Sequence, residues 1–478
     1  MKKRNLLGLL VLALLASACG QEAAPTTSDS TSPADDTTTI VPEVSYWDEL
    51  GAKDFGGKTF TFLGVHYAAR RNFADEEATG EIVNDALVER DNFIEEKFNV
   101  NFEFSIQASS GKAAPLAKNS VLAGEDNYNV VIDNIASALR PLMTENLLMN
   151  MNSLPTLDLS REWWSPGIYE NTQLDGKIYV TMGDIAPQKY YAPYAVCYNQ
   201  KLADEYKLPD MYDLVLSGNW TLAKFGELTK DVTHDLNGDS VINYDDFYAY
   251  AYVKTAITGQ SHYVGAGGQL SKQEKGEIVI DIAGSRSIDI IEKVQSILDP
   301  TGIETYTNEI GNQTNKMFMS GRALFYGNSL SVPIAEFREM VDDFGIVPTP
   351  KYDAAQKDYY AYINTYCLGG VAVPKTVQDT EMTGFIMEAL CYKSYEDVRP
   401  ALCEVVIKQK VTREDANMQV MDIIFDNTYL DLNAVYDFGG SIKYLGESVV
   451  NHTDFMSGYA AIEPQIGAAI KTLTELLN

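Results

Sequence analysis

Strand-like and helix-like segments alternate at the start of the folded part of this chain. Residues 58–63 alternate as a strand does, and residues 82–98 place apolar side chains on one helical face. The following segments resemble a strand at 100–106, a helix at 112–122 and a buried strand at 128–132. This succession is typical of βαβ units, in which helices cover a largely parallel sheet. The sequence therefore predicts an α/β protein.

The rest of the chain continues the mixed pattern. Further strand-like segments lie at 176–180, 194–198, 322–326 and 343–347. Long helical patterns follow at 383–392, 397–408, 415–425 and 463–477. About 425 residues lie beyond the N-terminal region, a length that suffices for two domains with separate cores.

Residues 1–18 predict export as a signal peptide. Lys2, Lys3 and Arg4 precede an apolar run, and small residues come directly before Cys19. The run is too short for a mature membrane span. Its end resembles the bacterial lipobox, although Ala16 stands where leucine is commoner, so we expect lipidation of Cys19 and anchoring on the extracytoplasmic face of the cell membrane. An ordinary signal-peptidase site with an incidental cysteine is the alternative.

Residues 19–54 are predicted to form a lipidated, disordered linker. The stretch 20–39 is rich in Ser, Thr, Asp, Ala and Pro, and such a composition buries too little apolar surface to offset chain entropy. The anchored linker would hold a soluble body near the membrane.

Charge and aromatic content narrow the partners. The formal net charge is −30, with 37 basic and 67 acidic residues, and such a surface repels nucleic acid. The chain has 29 Tyr and only 4 Trp, and tyrosine offers an apolar face with a hydroxyl. We therefore expect no nucleic-acid partner and favour polar, ring-shaped ligands.

The remaining cysteines do not predict a zinc site. Cys197, Cys367, Cys391 and Cys403 form no CxxC motif and have no histidine at ligand spacing. We expect all four to be small buried hydrophobic residues.

Residues 235–246 resemble a calcium-binding loop. Calcium takes six to eight oxygen ligands, and the spacing offers oxygens from Asp235, Asn237, Asp239, Asn243 and Asp246 and the carbonyl group of Val241. Ile242 is expected to hold the loop against a core. Ser240 replaces the usual glycine, and position 12 is aspartate rather than glutamate. A polar turn between helices is the alternative, but we expect a structural calcium ion.

The calcium-type loop also resembles the loops of dockerin modules. A dockerin carries two such loops within about 60 residues, whereas this chain has one inside a large globular region. The loop therefore favours a structural clip over an adhesion module.

Several ordered segments resemble extracellular solute-binding proteins of bacterial ABC importers, in the carbohydrate-binding group that includes maltose-binding proteins. The segments are GEIVNDA at 80–86, FNV at 98–100, LAG at 122–124, YNVV at 128–131, DGKIY at 175–179, CYNQKL at 197–202, NWTL at 219–222, FMSGRALF at 318–325 and FGIVPTPK at 344–351. Each is weak alone, and their order from about residue 55 to 477 carries the resemblance.

The resemblance implies a two-lobed, type II periplasmic-binding-protein-like fold. Each lobe would have a mostly parallel sheet flanked by helices, with the ligand cleft between the lobes. By that pattern lobe 1 comprises 55–192 and 367–408, and lobe 2 comprises 193–366 and 409–478. The implied protein is a monomer that captures a carbohydrate and passes it to permease subunits.

Ligand contacts are expected where strands end and where the chain crosses between lobes, because clefts in such folds lie outside the carboxyl ends of strands. The candidate residues are His66, Tyr67, Asp133, Asn134, Tyr190, Tyr191, Asn328, Asn364 and Tyr366. Three of them have structural alternatives. Tyr190 and Tyr191 could be hinge packing. Asn134 could instead be a helix N-cap. Trp163 and Trp164 are expected to be core residues rather than stacking platforms.

Two other functions remain open at this point. One is a binding protein for a non-sugar solute such as a peptide. The other is a surface glycan hydrolase, which would need two carboxylates across a cleft. No nucleophile or metalloprotease motif is present in the sequence, so a non-enzymatic binding protein is favoured.

Overall fold

The computed structural model describes residues 45–65, 72–75, 77–298, 311–367, 369–408 and 414–477. Contacts divide the chain into a unit Met1–Glu49 and a unit Leu50–Asn478. The sheets described below all belong to the second unit. Cys19, the signal peptide and residues 19–44 of the linker lie outside the described residues, so their predictions stay predictions. Within the described end of the predicted linker, Tyr46–Leu50 form a helix, which corrects the expectation of disorder there.

The strands are β1 (Lys58–Val65), β2 (Val100–Gln107), β3 (Val130–Asp133), β4 (Tyr194–Asn199), β5 (Tyr248–Tyr252), β6 (Lys272–Glu274), β7 (Glu277–Val279), β8 (Ala323–Ser329), β9 (Phe344–Pro348), β10 (Ala361–Tyr362), β11 (Gly370–Ala372) and β12 (Thr428–Tyr429). The α-helices are α1 (Tyr46–Leu50), α2 (Ile82–Phe98), α3 (Ala113–Ala123), α4 (Arg140–Thr144), α5 (Pro166–Thr172), α6 (Gln200–Glu205), α7 (Met211–Leu216), α8 (Leu222–Thr229), α9 (Ala256–Gly265), α10 (Ser285–Ile297), α11 (Gly311–Met319), α12 (Ser331–Glu336), α13 (Thr380–Lys393), α14 (Arg399–Lys408), α15 (Glu414–Asp426), α16 (Leu432–Tyr436), α17 (Ser441–Val450) and α18 (Phe455–Leu477). Short 3₁₀ turns lie at Met151–Ser153, Glu162–Trp164, Pro187–Tyr191, Phe337–Glu339 and Phe438–Gly440, and wider π turns lie at Ile135–Leu139 and Ser394–Val398.

The predicted alternation of strands and helices at the N-terminal end is confirmed. Helix α2 covers the predicted span because the Glu81 carboxylate accepts hydrogen bonds from the N–H groups of Val83 and Asn84 at its start. Asn99 ends it in the left-handed conformation, with φ of 49°. The residues that start and end this helix therefore lie directly next to it in the sequence.

Two four-stranded sheets organise the second unit. The first has the order β11-β3-β1-β2, and the second has the order β5-β8-β4-β9. In the first sheet β1 pairs in parallel with both β2 and β3, whereas β11 is antiparallel to β3. This sheet is mostly parallel, as predicted.

The second sheet is mixed, which corrects the prediction of a mostly parallel sheet. Strand β4 runs antiparallel to both of its neighbours, β8 and β9, and only β5 and β8 pair in parallel. Both β4 and β11 follow segments that pass from one sheet to the other. A strand that enters a sheet directly from such a crossover starts at the end of the sheet where the neighbouring strands finish. It is therefore antiparallel to them.

Three crossing segments lie side by side between the sheets. Pro193 forms a bridge with Ile363, and the N–H of Asn364 donates to the carbonyl group of Ala192 at 2.9 Å. The N–H of Ile363 donates in turn to the carbonyl group of Tyr429 at 3.2 Å. This arrangement brings residues that are far apart in sequence to one place.

Two sequence expectations about elements were wrong. Residues 176–180 form no strand but a tight turn, with Leu174 bridged to Lys177. Helix α18 begins at Phe455 rather than near 463, because Pro464 lies inside it instead of marking its start. Whether a helix continues through a proline depends on how it packs against the rest of the protein, and the local sequence pattern does not show this.

The four cysteines are free thiols, and two of them fit the expectation of burial fully. Cys197 and Cys391 are buried, and Cys367 and Cys403 are partly exposed. Within the described ranges, no helix is both long and apolar enough to cross a bilayer.

Candidate functional site: a cleft at the crossing segments

A cavity of about 970 Å³ opens beside the crossing segments. Its lining comes from the crossings, from the end of β8 and from the helices α9, α11, α12 and α17, with further residues from the segment 110–140. The polar or aromatic lining residues include Ser110, Gln188, Tyr191, Tyr194, Thr258, Gln260, Asn315, Asn328, Asn364 and Tyr366. Concave sites of this size that combine aromatic faces with convergent polar groups are typical of small-molecule binding.

Four of the predicted ligand residues line this cleft, namely Tyr191, Asn328, Asn364 and Tyr366. Tyr191 is 4% exposed, whereas Tyr366 is 62% exposed at the rim. The structure thus brings together residues from three distant parts of the chain, one after a strand and three at the crossings. Their contact with a ligand remains a prediction.

Asp133 and Asn134 do not line the cleft. Asp133 is fully buried, and its carboxylate accepts from the N–H groups of Gly111 and Asn134 and from the hydroxyl of Ser110. Burial raises the pKa of Asp133, and these hydrogen bonds oppose the rise. The amide oxygen of Asn134 accepts from the N–H of Ser137 at 2.7 Å, so Asn134 is the helix N-cap considered as its alternative. Both residues support Ser110, which does line the cleft.

Tyr190 faces away from the cleft that its neighbour Tyr191 lines. Its ring packs edge-on against Phe425, with centroids 4.9 Å apart, and its hydroxyl donates to Asp184 at 2.7 Å. This is the hinge packing considered as its alternative. His66 and Tyr67 lie outside the described residues.

Sequence reasoning did not single out several lining residues. Asn315 lies in helix α11 and Glu336 at the end of α12, and neither follows a strand directly. Gln260, inside α9, was missed for the same reason, whereas Gln188 lies in the first crossing, where only Tyr190 and Tyr191 were selected. A polar residue in a helical pattern looks like any solvent-facing position, so no local signal marked them.

The charged lining of the cleft is balanced. Its lining includes the three cations Arg140, Lys254 and Lys443 and the three carboxylates Glu336, Asp437 and Glu447. Arg140 donates to the carbonyl groups of Val435 and Ala434 and lies 3.8 Å from the Asp437 carboxylate. Lys443 lies 3.7 Å from Glu447. The strong acidity of the chain as a whole is therefore absent from this cavity, which suits a ligand without net charge.

The aromatic lining consists of tyrosines. Tyr191, Tyr194 and Tyr366 contribute to it, and no tryptophan of the described residues does. Trp163 and Trp164 are instead buried, and both indole N–H groups donate at 2.8 Å to the carboxylate of Glu388. This confirms the expectation that the pair belongs to the core.

The calcium-type loop is held together by hydrogen bonds within it. Ser240 adopts the left-handed conformation, with φ of 64°. The two carboxylate oxygens of Asp235 accept from the N–H groups of Gly238 and Ser240. Those of Asp246, which is fully buried, accept from Leu236 and Asn243. The loop is thus closed by its own predicted ligands.

One expectation for this loop was wrong. Ile242 is 38% exposed and does not hold the loop against a core. No group of three or more His, Cys, Asp or Glu side chains suited to a metal ion occurs among the described residues. Asp235, Asp239 and Asp246 therefore form no such group in this conformation of the loop, and calcium binding stays a prediction.

Comparison with solved structures defines the fold. A sugar transporter from Rhizobium etli in an open conformation is similar with a TM-score of 0.55 and 13% identity, covering 86% of this chain and 99% of that one. The galacto-N-biose/lacto-N-biose I-binding protein of the ABC transporter from Bifidobacterium longum, in complex with lacto-N-biose, has a TM-score of 0.54 and 12% identity over 88% of this chain and 99% of that one. An ABC transporter associated binding protein from B. animalis subsp. lactis, in complex with β-1,6-galactobiose, has a TM-score of 0.53 and 15% identity over 87% and 98%.

No protein-family model matches the chain. No curated protein matches it significantly. At identities of 12–15% the structural similarity establishes the fold. The chain therefore shares the α/β fold of these solved structures, with sheets flanked by helices, as the fold prediction expected.

Proposed function

We propose that this protein is an extracytoplasmic solute-binding lipoprotein that captures a carbohydrate, an oligosaccharide, and delivers it to the permease subunits of an ABC importer. The observation that carries the proposal is the cleft at the crossing segments, lined by tyrosines and side-chain amides. Sugars offer C–H faces to aromatic rings and hydroxyls to amides. The solved structures with the same fold include complexes with lacto-N-biose and β-1,6-galactobiose.

Capture would occur by closure of the two lobes, 55–192 with 367–408 and 193–366 with 409–478, around the solute. The crossings at Ala192–Asn364 and Ile363–Tyr429 are hydrogen-bonded to each other, so they can serve as a common hinge. The protein would act as a monomer. Hinges built from a few residues at element ends are usual for such closure.

A binding role fits the cleft better than hydrolysis. A glycan hydrolase needs a pair of carboxylates free to act on the glycosidic bond. Here Asp437 lies beside Arg140, and Glu447 beside Lys443. Glu336 accepts a hydrogen bond from Asn315. Each of these carboxylates thus has a neighbouring donor or cation on at least one oxygen, which suits binding of hydroxyl groups.

The test is a screen of the purified protein against a glycan panel that includes maltose, lacto-N-biose and β-1,6-galactobiose. We expect a rise in the unfolding temperature with at least one glycan, compaction in small-angle scattering and no cleavage products. Stabilisation by peptides alone would support the non-sugar alternative. Product formation would support the hydrolase, and neither stabilisation nor compaction with any glycan would refute the carbohydrate proposal.

We also propose a structural calcium ion held by Asp235, Asn237, Asp239, the carbonyl group of Val241, Asn243 and Asp246. The left-handed Ser240 and the closed loop support it. Calcium at about 100 times its Kd should stabilise the fold by roughly 2.7 kcal/mol. Identical calorimetric transitions with calcium and with chelator, together with no metal in elemental analysis, would refute it.

The lipid anchor is proposed from the sequence of the leader. Replacement of Cys19 by Ala should release the protein from the membrane fraction or stall its processing, because no acceptor for the lipid would remain. Normal processing with full membrane retention would contradict the anchor.

A further inference from the structure

A chain of side-chain hydrogen bonds runs along one wall of the cleft. The amide nitrogen of Asn328 donates to the hydroxyl of Tyr326 at 2.7 Å, and that hydroxyl donates to the amide oxygen of Asn315. The amide nitrogen of Asn315 donates in turn to the Glu336 carboxylate at 2.6 Å. Asn315, Asn328 and Glu336 line the cleft, whereas Tyr326 lies behind them, fully buried.

The direction of this chain fixes both amides. The N–H of Ser329 donates to the amide oxygen of Asn328 at 2.8 Å, so the nitrogen of Asn328 must face Tyr326. Burial raises the pKa of Tyr326, so its hydroxyl stays protonated and donates onward. Asn315 therefore turns its oxygen to Tyr326 and its nitrogen to the carboxylate. Each group in the series polarises the next.

The groups left for a ligand are complementary to sugar hydroxyls. Each amide has two N–H donors, and the chain uses one of each, so one N–H of Asn315 and one of Asn328 remain. The carboxylate of Glu336, which is exposed, keeps a second oxygen as an acceptor. A hydroxyl group can accept from an amide and donate to a carboxylate at the same time. Both amides contact the same Tyr326 hydroxyl, so they lie within two hydrogen-bond lengths of each other.

We propose that Asn315, Asn328 and Glu336 form a subsite that recognises two adjacent hydroxyl groups of one sugar ring, and that Tyr326 is the positioning residue that sets the orientation of both amides. This inference rests on the proposed function and specifies the chemistry that the cleft selects. It assigns a specificity role to residues from β8, α11 and the end of α12, which meet only in the folded protein.

The experiment uses the tightest-binding sugar among maltose, lacto-N-biose and β-1,6-galactobiose, together with its monodeoxy analogues. In the unaltered protein, loss of either of two adjacent hydroxyls should weaken binding about tenfold or more, because a polar group of the site then loses its partner. The variant Glu336→Gln should weaken the parent sugar roughly 5- to 150-fold and reduce this discrimination. Glu336 is exposed, so its replacement leaves the fold intact.

Tyr326→Phe tests the positioning role. It should also reduce the discrimination between the parent sugar and these analogues, although Tyr326 never touches the ligand. Two matched controls should keep the discrimination: Glu339→Gln, an exposed carboxylate outside the cleft, and Tyr359→Phe, a buried tyrosine whose hydroxyl donates to the carbonyl group of Val215.

The outcomes separate this inference from the proposed function. If sugars bind and both Glu336→Gln and Tyr326→Phe keep the discrimination of the unaltered protein, the subsite is wrong and the proposed function stands. If no sugar of the wider glycan panel binds the unaltered protein, the proposed function fails, and the inference fails with it.

Discussion

Tyr190 and Tyr191 are neighbours in sequence, and the structure predicts opposite consequences for their substitution. Tyr190 donates to Asp184, a carboxylate that is 1% exposed and also paired with Lys189. Tyr190→Phe keeps the ring against Phe425 and removes only the hydroxyl. Loss of a hydrogen bond to a buried charged acceptor should cost roughly 1.5–3 kcal/mol.

The expected shift in unfolding temperature follows from the size of the unit. Leu50–Asn478 has about 430 residues, and unfolding entropy of about 2.1 cal/mol/K per residue sums to roughly 0.9 kcal/mol/K. If the unit unfolds cooperatively, Tyr190→Phe should lower the transition by roughly 2–3 °C. Sugar affinity should stay unchanged, because the hydroxyl lies on the side away from the cleft.

Tyr191→Leu is the matched cleft variant. It keeps apolar volume but removes an aromatic face and a hydroxyl, so sugar binding should weaken roughly 5- to 150-fold. The ring is 4% exposed, and some loss of stability is expected too, which makes affinity the decisive measurement. Calorimetric unfolding and titration calorimetry measure the two quantities. We assign Tyr191 to the cleft and Tyr190 to the side away from it. This assignment is refuted if Tyr190→Phe weakens sugar binding while its unfolding temperature stays unchanged, or if Tyr191→Leu binds sugar normally.

Two further predictions concern the wall formed by α9. Burial lowers the pKa of His262 to about 4, while an unfolded histidine has a pKa of about 6.5. The unfolded state therefore binds the proton first, so stability is full above about pH 6.5 and declines as the pH falls towards 4, by at most about 3 kcal/mol. The free energy of unfolding is measured against pH for the unaltered protein and for His262→Gln. Subtracting one curve from the other removes the contribution of the carboxylates, which titrate in both proteins. A difference that does not change with pH would contradict the argument. Gly259→Ala should destabilise by about 1–3 kcal/mol in denaturant unfolding, because its Cβ would collide with the carbonyl oxygen of Gly446. Gly467→Ala is the control, because Gly467 lies in helix α18 and an added Cβ would meet nothing. This substitution should be neutral or stabilising. Equal effects of the two substitutions would argue against the close packing of α9 on α17.

Local patterns in the sequence predicted most elements. Hydrophobic periodicity placed α2 at its observed bounds and the first three strands within two residues. This signal suffices because the alternation of a strand and the apolar face of a helix depend on residues close together in the chain. The sequence also indicated where strands end, which led to Asn328, and the resemblance implied the crossover that led to Asn364; both line the cleft.

What the sequence by itself determined was therefore the α/β class, the order of elements and the positions where polar groups follow strands. Only the tertiary structure decided that β4 runs against both neighbours, that Tyr191 rather than Tyr190 faces the cleft, and that Asn134 caps a helix. It also brought Asn315 to Asn328 through Tyr326. The physical reason is that the burial and the hydrogen-bond partners of a side chain depend on the residues that pack against it. Those residues come from segments far away in the sequence, so no local periodicity reveals them.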